Sequence, residues 1–262
     1  MATTANPYIV PGLDRGMQIL MLFDRARPEL SAPAIAQALG IPRTTVFRLL
    51  QTLQHLKLVV ATDSGVYRLG PAVLRLGFEY IASLDLTERA RPIVASLRDA
   101  SGLPAQLVIR DEREVVVVLR FAGTSAFESS VSVGTRMPAH ATILGRMLLA
   151  DLNDADLRRL YPERELKRFS DHTPKNVGAL SKLLEADRAR GYAVSESFYE
   201  RGISAVAAPV RDAGGHIIAA ISVTTQRASI PPSERATLVK QVVAAAAELS
   251  SQLSYRVSRT AA

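Results

Sequence analysis

Residues 31–56, SAPAIAQALGIPRTTVFRLLQTLQHL, read as two short helices joined by a tight turn at Leu39-Gly40-Ile41. In the first helix Ile35, Ala36 and Leu39 share one side, and Gly40 stands where a left-handed residue ends the helix and turns the chain. The second is expected to start at Pro42, because a missing N–H costs nothing in a first helical turn. Its apolar residues Val46, Leu49, Leu50 and Leu53 fall at i, i+3, i+4 and i+7, the spacing of one buried face. The opposite side carries Thr44, Arg48, Gln51 and His55, with Arg43 and Phe47 at its border. That side is polar, basic in its first turn and free of acids. The pattern is that of a helix-turn-helix, whose second helix offers its N-terminal side chains to the major groove of DNA. A helical hairpin that binds nothing is the alternative reading of the same residues.

Working outward, residues 13–25 place Leu13, Met17, Leu20 and Met21 with Ile19 and Phe23, a helix to cover the back of the motif. Residues 1–12 hold two prolines and small polar residues, and a flexible tail is expected there. Downstream, residues 58–61 and 66–69 flank the turn-rich Thr62-Asp63-Ser64-Gly65, a β-hairpin. Three helices and a hairpin make a winged helix over residues 13–70. The candidate DNA contacts are Ser31, Arg43, Thr44, Thr45, Phe47, Arg48 and Gln51, with Arg68 from the hairpin. An arginine can bond O6 and N7 of guanine, and a threonine methyl can touch thymine. Asp63 at the hairpin tip repels phosphate, so Arg68 is the better contact.

Gly70-Pro71 breaks the strand and opens a helical segment over residues 72–83, read as a linker (71–84) with the domain boundary near Gly70. Residues 85–257 form a second domain. Helices are expected at 87–100, 142–150, 154–161 and 176–190, the last stopped by Gly191. Residues 105–110 and 115–121 form a hairpin about Asp111-Glu112-Arg113-Glu114, and Val115-Val116-Val117-Val118 lacks alternation, as in a strand covered on both faces. Residues 131–134 are read as a short strand, and 205–211 with 216–225 as a second hairpin. A last helix starts at Pro231-Pro232-Ser233 with a stripe of Leu238, Val242, Ala245, Ala246, Leu249 and Leu253. The order predicts an α+β domain with an antiparallel sheet and helices on one or both sides.

A chain of 262 residues, 48% hydrophobic and 22% charged, suits two domains of ordinary globular composition. No apolar run reaches the roughly 18 residues of a membrane span, and the N-terminus lacks the features of a signal peptide, so a cytoplasmic location is expected. The absence of cysteine excludes disulfides, thiolate metal sites and cysteine nucleophiles. The net charge of +7 favours a polyanionic partner. Residues 1–70 hold seven Lys/Arg against four acids, so charge alone does not locate the site. The modest affinity this gives one subunit points to a dimer or a larger assembly. No G-x-S-x-G, G-x-G-x-x-G, G-x-x-x-x-G-K or H-E-x-x-H motif occurs, and His55, His140, His172 and His216 stand far apart. An enzyme is therefore not expected, nor a metal or cofactor. A small-molecule sensor acting through protein partners is the remaining alternative.

The segments GLDRGMQILMLF, IPRTTVFRLLQTL, YRLGPAVLRLG, VGTRMPAHATILGRMLLA, GYAVSESFYERGISAVAAPVRD and AAISVTT, in order from residue 12 to 225, resemble the IclR family of bacterial transcriptional regulators. The resemblance implies a winged-helix DNA-binding domain, a linker helix and a GAF-like effector-binding domain. It also implies homodimers or dimers of dimers on double-stranded operator DNA, with a small organic effector altering that binding. Carried over by position, the effector pocket involves Ile143, Leu144, Ser195, Ala205, Ser222 and Thr224. Family members that take small keto acids tend to have small residues at the first pair and an acid where Ser195 stands, and paired glutamates are common where this chain has Ser197-Phe198. These departures imply an effector with a substantial apolar or aromatic part and a polar end held by Ser195, Ser222 or Thr224. Arg136, Arg146 and Arg201 are secondary candidates to clamp a carboxylate. His140 is read as capping a helix.

Overall fold

In the computed structural model residues 8–24, 26–83, 85–124 and 131–254 are described. The chain divides into two compact units, Met1–Ser83 and Leu84–Ala262.

In the first unit α1 spans Pro11–Met21, β1 Glu29–Ser31, α2 Ala32–Leu39, α3 Arg43–His55, β2 Val59–Ala61, β3 Val66–Leu69 and α4 Ala72–Ser83. The helix expected at residues 13–25 begins two residues earlier, on Pro11, and stops at Met21, so Pro11 and Gly12 are helical and not tail. Pro42 is the N-cap of α3 and not its first residue: its ψ of 140° is extended, and the helix starts at Arg43. Gly40 closes α2 at φ 64°, the left-handed conformation its position demands. Ile19, Ile35, Val46, Leu50 and Val59 are fully buried in one core, which fixes the α1, α2 and α3 faces. Strand β1 has no counterpart in the sequence reading. It pairs antiparallel with β3, Glu29 opposite Arg68 and Ser31 opposite Val66, making a three-stranded sheet in the order β1-β3-β2. Helix α4, read from the sequence as a linker, falls within this compact unit.

The second unit runs α5 Asp85–Ser101, β4 Ala105–Asp111, β5 Glu114–Phe121, β6 Arg136–Pro138, a 3₁₀ turn Ala139–Ala141, α6 Ile143–Leu149, α7 Asp154–Leu160, α8 Val177–Arg190, β7 Ala193–Glu196, β8 Ser204–Arg211, β9 Ile217–Thr225 and α9 Pro232–Ser254. The strands form one antiparallel sheet in the order β6-β5-β4-β9-β8-β7. Residues of α5 and α9 (Val94, Leu97, Val242, Leu249) bury one face with Leu107, Val206 and Ile221. Residues of α6 and α8 (Met147, Leu148, Leu180, Leu184) bury the other with Val108, Val117, Ala207 and Ala220. Both faces are covered, and the unbroken valine run of β5 is the consequence.

Three helices of the second unit start on side-chain caps: Thr142, Asn153 and Asn176 accept from the amides of Gly145, Asp156 and Ala179 at 3.2, 2.9 and 2.9 Å. Residues 131–134 are not a strand. Gly134, at φ 86°, makes a turn there, and its N–H donates to Val117. The strand of this region is β6, which pairs with β5 at Arg136–Pro138. Strand β7 was also not foreseen.

Candidate functional site

Two places concern function, one in each unit. On α3 the side chains of Arg43, Thr44, Arg48 and Gln51 are exposed and Thr45 is half-buried. Phe47 is 55% exposed, an unusual position for a phenylalanine beside a basic helix turn. Among the described residues no ion pair engages Arg43, Arg48 or Arg68. Ser31 is the N-cap of α2, its Oγ accepting from the Ala34 amide at 3.3 Å. Arg68 is exposed on β3 with Glu29 directly opposite on β1, an acid that weakens the local positive field. Because β1 was missed in the sequence, so was this pairing.

The second unit contains a cavity of about 520 Å³. Ile143, Leu144, Ser195, Ala205, Ser222 and Thr224 all line it. Strand pairing explains why residues so far apart in the chain converge. Ser195 of β7, Ala205 of β8 and Thr224 of β9 stand opposite one another in one transverse row. The next row runs Ala193, Ala207, Ser222, Gln106 and Arg120 across β7, β8, β9, β4 and β5. Cross-strand partners point to the same face, so both rows present to one side of the sheet. Ile143 and Leu144 approach from the first turn of α6, and the loop 197–203 supplies Phe198, Tyr199 and Ile203. That loop folds on itself: Ser197, at φ 52°, donates its N–H to the Ile203 carbonyl at 2.9 Å and accepts the Gly202 amide on Oγ at 3.2 Å.

Sequence reasoning did not single out Gln106 or Arg120, and it noted Phe198 only as a departure from the family's paired glutamates. The signal for Gln106 was present: it is a polar residue at the start of a strand otherwise apolar for several residues. Its Nε2 donates to Ser222 Oγ at 3.3 Å, and both side chains are buried.

Of the candidate clamp arginines, Arg146 is buried and tied to Asp187, Nε to Oδ2 at 2.7 Å, and its guanidinium lies 4.8 Å from the centre of the Phe198 ring. It does not line the cavity but braces one wall from behind. Arg136 lines the cavity with its guanidinium held by Asp111 and Glu114 at 2.5 and 2.6 Å. Arg201 is exposed in the loop at the cavity rim. His140 caps no helix. It is buried in the 3₁₀ turn, bonds the Lys167 carbonyl through Nε2 at 2.9 Å and meets Tyr161 edge-on at 5.6 Å. Burial holds its pKa below the usual imidazole value, against the opposing pull of the Lys167 carbonyl. Burial also raises the Tyr161 pKa to about 12. Among the described residues no three His, Asp or Glu side chains group as metal ligands, and no helix is long and apolar enough to cross a membrane.

Comparison with known proteins identifies both units. Residues 12–63 match the IclR helix-turn-helix domain, and residues 78–251 match the family described as bacterial transcriptional regulator IclR C-terminal. The HTH-type transcriptional regulator XynR of Escherichia coli (strain K12) is 32% identical over 248 residues, which is 94% of this chain and 98% of that protein. The crystal structure of an IclR transcriptional regulator from Alicyclobacillus acidocaldarius is similar with a TM-score of 0.82 at 28% identity, covering 93% of this chain and 99% of that one. An IclR homologue from Microbacterium hydrocarbonoxydans, solved in complex with 4-hydroxybenzoate, shares the fold with a TM-score of 0.80 at 24% identity, covering 92% of this chain and 98% of that one. A patterned recognition helix in one unit, a lined cavity in the other and two family models over most of the length lead to one conclusion: the chain belongs to the IclR family of bacterial transcriptional regulators, with a helix-turn-helix DNA-binding domain and a C-terminal effector-binding domain.

Proposed function

We propose that Arg43, Thr44, Thr45, Phe47, Arg48 and Gln51 read operator DNA from the major groove, with Ser31 and Arg68 touching the backbone beside it. The observation that carries this reading is the exposed, acid-free first turn of α3, where among the described residues no acid pairs with Arg43 or Arg48. One such helix covers only part of a half-site, and half-sites lie about one helical turn, roughly 34–36 Å, apart. The protein therefore binds as a homodimer or dimer of dimers. Exposed apolar residues on α1 (Leu13, Met17, Met21) and α4 (Leu74, Leu76, Tyr80) support this, as surface that a second copy would cover. As a regulator of bacterial DNA it works in the cytoplasm.

Arg48→Ala is expected to cost about 1–3 kcal/mol on the native operator and to relax preference at one base position. Fluorescence anisotropy on DNA from upstream of the protein's own gene measures both. A loss uniform over all sequences would make Arg48 a backbone contact, and a wild-type protein that shifts no DNA would be a sensor acting through protein partners.

The cavity takes a small organic acid with an apolar or aromatic body. Its volume falls within the roughly 300–1,000 Å³ of small-ligand sites. Ile143, Leu144 and Phe198 give it apolar walls, and Ser195, Ser222 and Thr224 give it hydroxyls. The 4-hydroxybenzoate held by the Microbacterium homologue is a molecule of this class. Titrating the protein with short keto acids and with aromatic acids tests the assignment, which fails if a keto acid binds more tightly.

A further inference from the structure

We propose that Arg120, Gln106 and Ser222 form the subsite that holds the effector's carboxylate, with its apolar body running toward Ser195 and Thr224. The inference rests on the reading of the cavity as the effector site and adds the orientation of the ligand within it. Gln106 stands opposite Arg120 on one side and opposite Ser222 on the other, so a guanidinium, an amide and a hydroxyl follow one another in a single row on the cavity side of the sheet. The neighbouring positions on that side are Ala193, Ala205, Ala207 and Ala220, whose methyl groups leave room above the sheet and offer nothing polar.

A hydroxyl and an amide buried in such a setting cost stability unless they are satisfied. Gln106 and Ser222 satisfy each other only in part. Ser222 accepts in their mutual bond, so its own O–H remains a donor, and one N–H of the Gln106 amide also remains. With the guanidinium fork of Arg120 alongside, the row is a set of donors with a cation at its end, the complement of a carboxylate. The other cavity arginines suit this task less well. Arg136 stands on β6 opposite Val116, outside the row of Gln106 and Ser222, and Arg201 is exposed at the rim. Glu200, the acid among the described lining residues, is also exposed, so among the described residues no buried acid lines the sheet side.

Spacing sets the rest of the ligand. Thr224 lies two residues along β9 from Ser222, about 7 Å, and Ser195 lies two strands from Thr224, roughly 9–10 Å. A carboxylate on the row and a hydroxyl reaching Thr224 or Ser195 are thus one aromatic ring apart, with the ring against Ile143, Leu144 and Phe198. The chemical class is a monocarboxylic acid on a ring, with a hydroxyl at the far end.

The test uses the full-length protein and isothermal titration with 4-hydroxybenzoate, benzoate and 3-phenylpropionate, together with 4-hydroxybenzamide, which keeps shape and loses charge. Wild type should prefer 4-hydroxybenzoate to its amide by about tenfold or more. Arg120→Gln should weaken the acid by roughly ten- to a hundredfold and leave the amide unchanged, the unchanged amide reporting an intact cavity. Should Arg120→Gln not fold, Arg120→Lys keeps the charge without the fork, and a severalfold loss confined to the acid is expected. Arg136→Gln should leave the acid-to-amide ratio as it is. An unchanged ratio in both Arg120 variants, or a loss that follows Arg201→Gln instead, overturns the subsite. Leu144→Trp separates this failure from failure of the cavity: if it leaves acid binding intact, the effector sits elsewhere and both readings fall. If it abolishes binding while Arg120→Gln does not, only the subsite falls. Binding of none of the three acids at millimolar concentration refutes the acid effector and the subsite together.

Discussion

Removing Asp187 should be among the most damaging single changes in the effector-binding unit. Its side chain is fully buried and accepts from Arg146 at 2.7 Å and from Arg190 at 2.5 Å, while the Arg146 side chain itself is only 5% exposed. In Asp187→Ala the Arg190 head, nearly half exposed, turns to water at little cost. Arg146 cannot, and remains as a cation in a closed interior. Breaking a buried pair from one side costs about 3–5 kcal/mol, mostly through the charge left behind. For a unit of this size that is a fall in Tm of roughly 6–20 °C. The double variant Arg146→Met/Asp187→Leu removes both charges and keeps much of the volume, so it should recover at least about 2 kcal/mol relative to Asp187→Ala. Urea unfolding of the wild type, Arg146→Met, Asp187→Leu and the double variant gives the coupling. A loss below about 1 kcal/mol in Asp187→Ala, or strict additivity in the double variant, would refute the argument that the pair is closed to water.

Other expected outcomes follow from backbone contact and titration. Gly145→Ala puts a Cβ 2.0 Å from the Ala139 carbonyl oxygen and 2.3 Å from the Ala139 Cα, all backbone, so a loss of about 3 kcal/mol or more in chemical denaturation is expected. Gly40→Ala meets nothing within 4 Å but holds φ 64°, which limits its cost to about 1–2 kcal/mol and confines it to the helix-turn-helix unit, readable as lost DNA affinity on warming. His140 is buried neutral and its pKa is lowered, so the unfolded chain takes up this proton first. Its contribution to stability is present above the ordinary imidazole pKa of about 6.5 and is lost as pH falls through the lower folded value. His140→Gln should flatten that acid slope in urea midpoints measured from neutral to mildly acid pH. Tyr161 has the opposite sign: its raised pKa makes stability fall as pH climbs from about 10 toward about 12, and Tyr161→Phe should remove that limb.

The helices were legible because each carries its own period and its own stop. Val46, Leu50 and Leu53 lie on the predicted face of α3, and Gly40 and Gly191 end α2 and α8 in the left-handed conformation that the sequence implied. Short strands were not. Glu29–Ser31 is three residues with no alternation to detect, and it exists because β3 offers it an unpaired edge. Residues 131–134 show the reverse error: Val-Ser-Val alternates like a strand, yet Gly134 turns the chain before pairing begins at Arg136. Local pattern specifies an element when the element is long enough to bury a face, and pairing partners specify it when it is not. The same holds for side chains. Arg146 looked like a ligand clamp because its partner Asp187 lies a helix away, and no spacing rule connects α6 to α8.

Arg120 is the sharpest instance, and it ties the fold to the site. Along β5 strict alternation puts Arg120 on the same side as Val116 and Val118, opposite Val115 and Val117, which pack with α6 and α8. That reading would send its guanidinium away from the cavity. The pairing of β4 with β5 shifts between Leu107 and Val108: Leu107 faces Leu119, but Val108 faces Val117, so Val118 is an extra residue in the ladder. A bulge of this kind reverses the side on which every later residue of the strand points. Val118 and Leu119 accordingly pack together in the core under α5 and α9, and Arg120 emerges on the opposite side, beside Gln106. The cation beside Gln106 thus depends on one inserted residue whose effect is visible only in the register of two strands. A chain with the same residues and an unbulged β5 would keep Arg136 and Arg201 at the cavity and lose the guanidinium from the row of Gln106 and Ser222.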